Sequence, residues 1–362
     1  FILMEEAILL ELENLRSQGL AQGEDSATAE RNERYLFGHL FTYLIVLINL
    51  QCLAERNLRV GIAEILISHY HIICQTGTVK ESLCHTAIRA GTGGKEDKFR
   101  LVMVADPQCQ NLRHIYRFHS ETAPDLKKTA KKGKTPCYAI SLGDIVYSEG
   151  PRNANYLMPM IKEEMRAENI GMPMFQTIGN HDCDYEPVAI GPRNSTPTVR
   201  MQRMFEATFG PIDYSWNRGD VHIVSMNDIV YDDITNFKKY HGDFTDEQVE
   251  WLRKDLSYVS KDKMIILCVH IPLEHMRKSK NVQAVLAMMN EFAEAKIMSG
   301  HTHFTRRFTH SNGIHEYILG AASGCWWWSR NNGDGTPNGY GIFDIKDGRL
   351  ADHRYKGTGF DI

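Results

Sequence analysis

Between residues 99 and 301, short apolar runs alternate with longer polar stretches. The six apolar runs are FRLVMVAD, PCYAISLGD, MPMFQTIGN, VHIVSMND, KMIILCVH and AKIMSGH. Their length and nearly continuous hydrophobicity are typical of strands that are buried on both faces. Four intervening stretches have helical spacing: LRHIYRFHSETAPDLKKTA, ANYLMPMIKEEMRAEN, DEQVEWLRKDLSYV and VQAVLAMMNEFAEA. The alternation predicts an α/β core in which helices cover the sheets.

The first 95 residues follow a different pattern. Residues 3–15 have the apolar spacing of an amphipathic helix. The apolar run at residues 36–53 is interrupted by histidine, threonine, asparagine and glutamine, which favours a buried helix over a membrane span and leaves the span as the alternative. The glycine-rich segment AGTGGKEDK at residues 90–98 predicts a domain boundary.

Composition and charge narrow the classes of function. The chain has 362 residues, with 41 Lys and Arg against 45 Asp and Glu, a net charge of −4. This balance provides no overall positive field for a nucleic acid as a stable partner, so phosphate chemistry here requires local charge, most simply metal ions. The eight cysteines contain no CxxC pair, and we expect buried free thiols rather than a disulfide framework. No secretory signal is visible near residue 1.

Residues able to bind metal ions stand at the ends of five of the six apolar runs. In chain order these blocks are Asp106-Pro-Gln108, Gly143-Asp144, Gly179-Asn-His-Asp182, His270 and Gly300-His-Thr-His303. Because ligands gather at the carboxyl ends of the strands in α/β sheets, we expect these blocks to meet in one cleft. Carboxylate and amide oxygens combined with imidazoles suit Mn, Fe or Zn.

The order D-x-[HQ], GD, GNHD, H and GHxH resembles the calcineurin-like metallophosphoesterase superfamily over residues 99–317. The C-terminal segment GCWWWSRNNGDGTPNGYGIFDIKDG resembles the tail of a bacterial branch of that superfamily, often carried on exported proteins. The resemblance implies a four-layer αββα sandwich of two mixed β-sheets flanked by helices. It divides the chain into a region of uncertain fold (1–95), a catalytic domain (96–317) and an extension packed on that domain (318–362). It also favours a periplasmic or secreted location.

The resemblance implies a site with two divalent metal ions bridged by Asp144. The ligands of the first metal would be Asp106, Gln108, Asp144 and His303, and those of the second Asp144, Asn180, His270 and His301. A hydroxide between the metals would attack the phosphorus of a phosphomonoester or phosphodiester. His181 would act as the general acid and Asp182 would orient its ring. Gln108, where many members have histidine, points to Mn, with Fe, Zn or Mg as alternatives.

Three further residues are candidate contacts for a small-molecule phosphate ester. Trp326 and Trp327 can form an aromatic wall that stacks on a base or sugar ring, and packing of the tail onto the sheet is the equal alternative. His114 is a candidate contact or an exposed helical residue. The lysines at residues 127–134 predict a solvated surface away from the metals. The alternative function is a metal-binding scaffold with little turnover, and the motifs leave the substrate and the oligomeric state open.

Overall fold

The computed structural model describes residues 98–147, 151–183, 197–232 and 240–360. The predictions made for residues 1–95, including the amphipathic helix and the apolar run at 36–53, lie outside these residues. None of the helices in the described part of the chain is long and apolar enough to cross a membrane.

The described chain alternates strands and helices, as the hydrophobic pattern predicts. The strands are β1 Lys98–Val104, β2 Cys137–Leu142, β3 Met174–Thr177, β4 Tyr214–Arg218, β5 Val221–Ser225, β6 Ile229–Tyr231, β7 Tyr240–Gly242, β8 Met264–Cys268, β9 Glu294–Ser299, β10 Arg306–Thr309, β11 His315–Ile318, β12 Gly339–Lys346 and β13 Arg349–Gly357. The α-helices are α1 Leu112–Arg117, α2 Ala123–Lys131, α3 Pro151–Glu164, α4 Ala167–Ile170, α5 Pro197–Phe209, α6 Asp246–Ser257 and α7 Lys280–Met289.

Two large mixed sheets form the centre of the fold. The first has the strand order β13-β12-β1-β2-β3, in which β1, β2 and β3 are parallel and β12 and β13 are antiparallel to their neighbours. The second has the order β10-β11-β9-β8-β5-β4, in which β11, β9, β8 and β5 are parallel. Because β1, β2 and β3 run the same way, the loops at their carboxyl ends share one edge of the first sheet.

Alternating side chains of the central strands belong to different cores. In β1, Leu101 and Met103 pack into a cluster with Ile266 of β8, so this core lies between the two sheets. Val102 and Val104 instead join a cluster with residues of α1, α2, α3 and α5. Alternate residues of β5 and β8 join a third cluster with α6 and α7. The layers are therefore helix, sheet, sheet and helix, which confirms the predicted sandwich.

All six predicted apolar runs form strands, namely β1, β2, β3, β5, β8 and β9. Two features differ from the expectations. The stretch at 112–130, read as one helix, contains a π-helical segment at Phe118–Thr122 between two α-helices. The pattern also did not predict the helix Pro197–Phe209. The two C-terminal strands extend the first sheet, with β12 paired to β1.

The five cysteines in the described residues are free thiols, as expected. Cys109, Cys137, Cys183 and Cys268 are free and buried, and Cys325 is free and half-buried.

The lysines of α2 line an open groove together with Lys356 of β13. This helix leads into the amino end of β2, whereas Asp144 follows its carboxyl end, so the strand separates the groove from the candidate metal ligands.

Candidate metal centre

Five loops, each following a strand, bring the predicted ligands together. The loops after β1, β2 and β3 carry Asp106 with Gln108, Asp144 and Asn180, and those after β8 and β9 carry His270 and His301 with His303. Backbone hydrogen bonds join neighbouring loops, since the Gln108 amide donates to the Asp144 carbonyl at 2.8 Å and the Gly300 amide donates to the His270 carbonyl at 3.0 Å. The site therefore lies where the carboxyl ends of the strands of the first sheet come close to those of the second sheet.

The backbone of five predicted ligands adopts the left-handed region. The φ angles are 50° at Asp106, 42° at Gln108, 52° at Asp144, 65° at His301 and 57° at His303. For a residue other than glycine this conformation costs about 1–2 kcal/mol. Strained backbone of this kind is maintained where the surrounding structure over-determines it, and it clusters at functional sites.

The glycines of the motifs work mainly by leaving room. Of Gly143, Gly179 and Gly300, only Gly143 has a positive φ, of 90°. A Cβ on Gly300 would lie 2.6 Å from Oδ2 of Asp106, and one on Gly179 would collide with the backbone nitrogen and carboxylate of Asp144. Gly179 and Gly300 are thus required because two ligand loops approach closely there.

Asn180, His270, His301 and Asp144 form a tight group. Oδ1 of Asn180 lies 3.0 Å from both His270 Nε2 and His301 Nδ1, and these two nitrogens are 3.2 Å apart. His270 Nε2 is also 3.3 Å from Oδ2 of Asp144. The other ring nitrogen of His270 hydrogen-bonds the Leu142 carbonyl at 2.8 Å, an arrangement that directs Nε2 toward the centre of the group. These are the residues predicted for the second metal.

The residues predicted for the first metal contact Asp144 or one another. His303 Nε2 is 3.5 Å from Oδ1 of Asp106, and Gln108 Nε2 donates to Oδ2 of Asp144 at 3.1 Å. Oδ1 of Asp106 and Oε1 of Gln108 are buried and have no hydrogen-bond partner among the residues that the structure describes. Since buried polar atoms are nearly always satisfied, two unpartnered oxygens beside a histidine fit a divalent cation.

The electrostatics also favour bound cations. Burial disfavours the charged form of His270, but Asp144, Asp106 and Asp228 outweigh it and raise its pKa to about 10. Burial lowers the pKa of His301 to about 4, with the charge of His270 adding to the shift. The pKa of Asp144 is lowered because His270 and other imidazoles outweigh its burial. The carboxylates therefore attract positive charge strongly enough to hold it on a fully buried imidazole.

Two further buried carboxylates bind backbone amides of the ligand loops. Asp182 accepts from the amides of Val146 at 3.0 Å and Gly179 at 2.8 Å. Asp228 accepts from the amides of His270 at 3.2 Å and Ile271 at 2.8 Å. Burial raises the pKa of Asp182 to about 8, with the charge of Asp144 contributing, and burial raises that of Asp228 to about 7.

These contacts give Asp182 a role beside the expected one. Its two oxygens accept from backbone amides and hold the loops after β2 and β3 together, and the orientation of the His181 ring by Asp182 stays a prediction. Asp228 accepts from backbone amides of the loop after β8 in the same way, and sequence reasoning missed it. Its position at the end of the apolar run VHIVSMND was the available signal.

His181 stands at the edge of the ligand group. Its backbone amide donates to Oδ1 of Asp144 at 2.8 Å, which fixes the residue next to the predicted bridging carboxylate. Its ring packs on the ring of Tyr147, with centroids 4.2 Å apart and an angle of 31° between the planes. Tyr147 was not singled out from the sequence, where it is an ordinary residue three positions after Asp144.

The two candidate tryptophans have different environments. Trp326 is 45% exposed and its ring lies 4.9 Å from that of His303, at the mouth of the site. Trp327 is buried, and its indole N–H donates to the Pro107 carbonyl at 2.8 Å. Arg117 lies over the Trp327 ring at 5.0 Å. Trp327 therefore supports the first ligand loop, which favours the packing alternative, and its role as a substrate contact stays a prediction.

His114 packs beside Trp327 under the first ligand loop. Its ring stacks on Trp327 at 6.0 Å, and its Nδ1 accepts from the Gln110 amide at 3.3 Å. Burial lowers the pKa of His114, with Arg117 and Arg113 adding to the shift. The contacts of His114 thus favour packing, and its candidate role as a substrate contact stays a prediction.

Comparison with known protein families agrees with this geometry. Residues 99–304, more than half of the chain, match the family described as calcineurin-like phosphoesterase. The chain belongs to the calcineurin-like phosphoesterase family. Residues 316–362 match the model described as the C terminal of calcineurin-like phosphoesterase, so the tryptophan-rich tail also has a counterpart in that family.

Individual relatives of this calcineurin-like phosphoesterase are distant. A manganese-dependent ADP-ribose/CDP-alcohol diphosphatase from Arabidopsis thaliana is 30% identical over 122 residues, which cover 32% of this chain and 37% of the relative. A dimetal phosphatase from Danio rerio is 16% identical with a TM-score of 0.47, covering 72% of this chain and 96% of that one. A 5'-nucleotidase from Candida albicans is 12% identical with a TM-score of 0.44, covering 73% and 52%. The chain thus spans little more than a third of the length of the Arabidopsis relative.

Proposed function

We propose that this calcineurin-like phosphoesterase is a metal-dependent hydrolase of phosphoric esters. The observation that carries the proposal is the pair of unpartnered buried oxygens, Oδ1 of Asp106 and Oε1 of Gln108, beside His303. The same centre contains Asp144, His270 and His301, whose ligand atoms all lie within 4.8 Å of one another. Membership of the family supports the reaction class.

Two divalent cations fit the two ligand sets. Asp106, Gln108, Asp144 and His303 would hold the first, and Asp144, Asn180, His270 and His301 the second. When bound, such ions supply Lewis acidity toward phosphoryl oxygens and a water made nucleophilic at neutral pH. Manganese is favoured because an amide oxygen replaces an imidazole at Gln108, and the Arabidopsis relative is described as manganese-dependent.

The residues of the chain position the substrate and move one proton. His181 gives a proton to the leaving-group oxygen, and the ring of Tyr147 packed against it restricts the tilt of the imidazole. Asp182 and Asp228 keep the ligand loops in register through their backbone amides. Because burial leaves these loops little freedom, the ligand side chains are preorganised before a substrate binds.

The substrate class we propose is a small phosphate ester or diphosphate that carries a flat organic group. Trp326 supports this, because its exposed ring beside His303 offers a stacking face at the mouth of the site. The Arabidopsis relative is described as a diphosphatase for ADP-ribose and CDP-alcohols. The net charge of −4 argues against a nucleic acid as a stable partner.

The experiment that tests the proposal combines metal removal with one substitution. Dialysis against a chelator is expected to abolish hydrolysis of phosphate monoesters, diesters and diphosphates, and Mn²⁺ to restore it. His181→Ala is expected to lower kcat by about 10²- to 10⁴-fold while leaving manganese content unchanged.

His119→Ala is the matched control. His119 is 58% exposed and bonds Glu164 rather than a site residue, so its loss should leave the rate unchanged. A protein that binds two manganese ions and hydrolyses none of these substrates would instead support the alternative of a metal-binding scaffold.

A further inference from the structure

Glu316 is a fully buried carboxylate that sequence reasoning did not single out. It lies on β11 and none of its surface is exposed. Oε1 accepts from the backbone amide of Leu273 at 2.8 Å and from the hydroxyl of Ser299 at 2.9 Å. Oε2 accepts from the amide of Glu274 at 3.1 Å and hydrogen-bonds His310 Nε2 at 3.0 Å. Four partners satisfy the carboxylate, which a buried charge requires.

The partners of Glu316 belong to two different ligand loops. Leu273 and Glu274 begin the short 3-10 helix that starts three residues after His270. Ser299 ends β9, two residues before His301, and pairs directly with Ile318 of β11. Glu316 thus bonds the chain just after one histidine and just before the other. It supports the loops from within the second sheet, behind the ligands.

The separation of these two histidines defines the second metal site. His270 Nε2 and His301 Nδ1 are 3.2 Å apart, and both are 3.0 Å from Oδ1 of Asn180. The Gly300 amide also joins the loops directly, donating to the His270 carbonyl at 3.0 Å. A small relative movement of the loops would therefore change the distance between two ligands of one cation.

A carboxylate is the side chain that this position requires. It offers acceptors on both oxygens, and at least three of its partners are donors: two amides and a hydroxyl. Glutamine has the same shape, but in either orientation its NH₂ group would face a backbone N–H, that of Leu273 or that of Glu274. The substitution would therefore keep the volume of the side chain and break one of its two backbone contacts to the loop after β8.

We propose that Glu316 is a positioning residue that fixes the spacing of His270 and His301 and thereby sets the affinity of the second metal site. The inference rests on the proposed dinuclear site and not on turnover. Residues that hold metal ligands in place without touching the metal typically change affinity by about 10- to 100-fold when mutated.

The chain contains a matched control in Asp255 of α6. This carboxylate is also buried, and it accepts from the Ser215 hydroxyl at 2.9 Å and bonds His222 Nε2 at 2.7 Å. Ser215 and His222 lie on β4 and at the amino end of β5, away from the ligand loops. Asp255→Asn and Glu316→Gln therefore remove the same charge from the same kind of Ser–His environment, and only the second is tied to the metal loops.

The experiment titrates Mn²⁺ into the full-length, metal-free protein and follows binding by calorimetry and by electron paramagnetic resonance. In the wild type we expect two bound ions and an exchange-coupled spectrum. Glu316→Gln should weaken one of the two binding events by about 10- to 100-fold and keep an uncoupled Mn²⁺ signal at two equivalents, where the wild type is coupled. Asp255→Asn should bind both ions with wild-type affinity and show the coupled spectrum, although it too loses folding stability.

Either of two results would overturn the proposal: wild-type affinity for both ions in Glu316→Gln, or equal weakening in Asp255→Asn. Should Glu316→Gln not fold, Ser299→Ala removes one of the four contacts and should weaken one of the two binding events by about 3- to 10-fold. A wild type that binds two Mn²⁺ ions without hydrolysing any ester would refute the proposed function and leave this inference standing.

Discussion

Replacing Gly300 with alanine tests whether the close approach of two ligand loops holds the centre together. The new Cβ would lie 2.6 Å from Oδ2 of Asp106 and 3.0 Å from the Cβ of Ala105. The distance to Oδ2 of Asp106 is about 1 Å shorter than an ordinary non-bonded contact of about 3.5 Å. Asp106 is fully buried and has little room to move, so the loop carrying His301 must shift away from it.

The magnitude follows from two costs. Oδ2 of Asp106 accepts from the His301 amide at 3.0 Å, and losing a hydrogen bond to a charged group costs about 1.5–3 kcal/mol. Overpacking at a buried position costs about 1–3 kcal/mol more. We expect Gly300→Ala to lower the free energy of unfolding by about 3–5 kcal/mol. It should also weaken Mn²⁺ binding, because Asp106 and His301 are both proposed ligands.

Urea denaturation of the metal-free protein measures the first effect and calorimetric Mn²⁺ titration the second. Gly333→Ala is the control, since its Cβ would meet only the ring of Phe304, at 3.3 Å, and that ring is 45% exposed and free to yield. The control should stay within about 0.5 kcal/mol of the wild type. A Gly300→Ala protein with wild-type stability and metal affinity would refute the reasoning.

Two other predictions concern a titrating residue and the mouth of the site. Burial raises the pKa of Asp213 to about 6, although it accepts from the Asn227 amide at 2.8 Å and from Gln248. The folded protein then binds the proton more tightly than the unfolded chain, so this residue lowers stability as the pH rises from about 4 to about 6. Asp213→Asn removes the titrating group, so the variant should avoid up to about 3 kcal/mol of this pH-dependent loss of stability. In urea denaturation, the difference in unfolding free energy between variant and wild type should grow from about pH 4 to about pH 6. A difference independent of pH would contradict the prediction. Trp326→Ala should raise KM about 10-fold for phosphate esters of nucleosides, because stacking on a base contributes about 1–3 kcal/mol. It should leave KM for glycerol phosphate unchanged, and equal effects on both substrates would exclude stacking.

The positions of the strands along the chain and the polar residues that follow them were predictable from the sequence. Strands buried on both faces need continuous apolar runs, so β1, β2 and β8 were visible as FRLVMV, CYAISL and MIILC. The polar residues that follow are conspicuous because they break these runs. Their meeting at one edge then follows from the parallel direction of the strands.

Residues that act through contacts distant in sequence were not predictable in the same way. Glu316 lies 43 positions from Leu273 and looks like one polar residue in the short strand HEYI. Trp327 appears in a tryptophan triplet as a candidate substrate contact, and only its hydrogen bond to Pro107, 220 positions away, gives it a supporting role. No local pattern records which backbone amide a buried side chain will meet.

Hydrophobic periodicity and the residue types at strand ends were enough to predict the layered α/β architecture and the chemistry of the candidate ligands. The tertiary structure decided which oxygens are left unpartnered, which glycines are needed for space and which carboxylates hold loops instead of metals. These properties depend on distances between loops of two sheets, and such distances arise only when the sheets pack against each other.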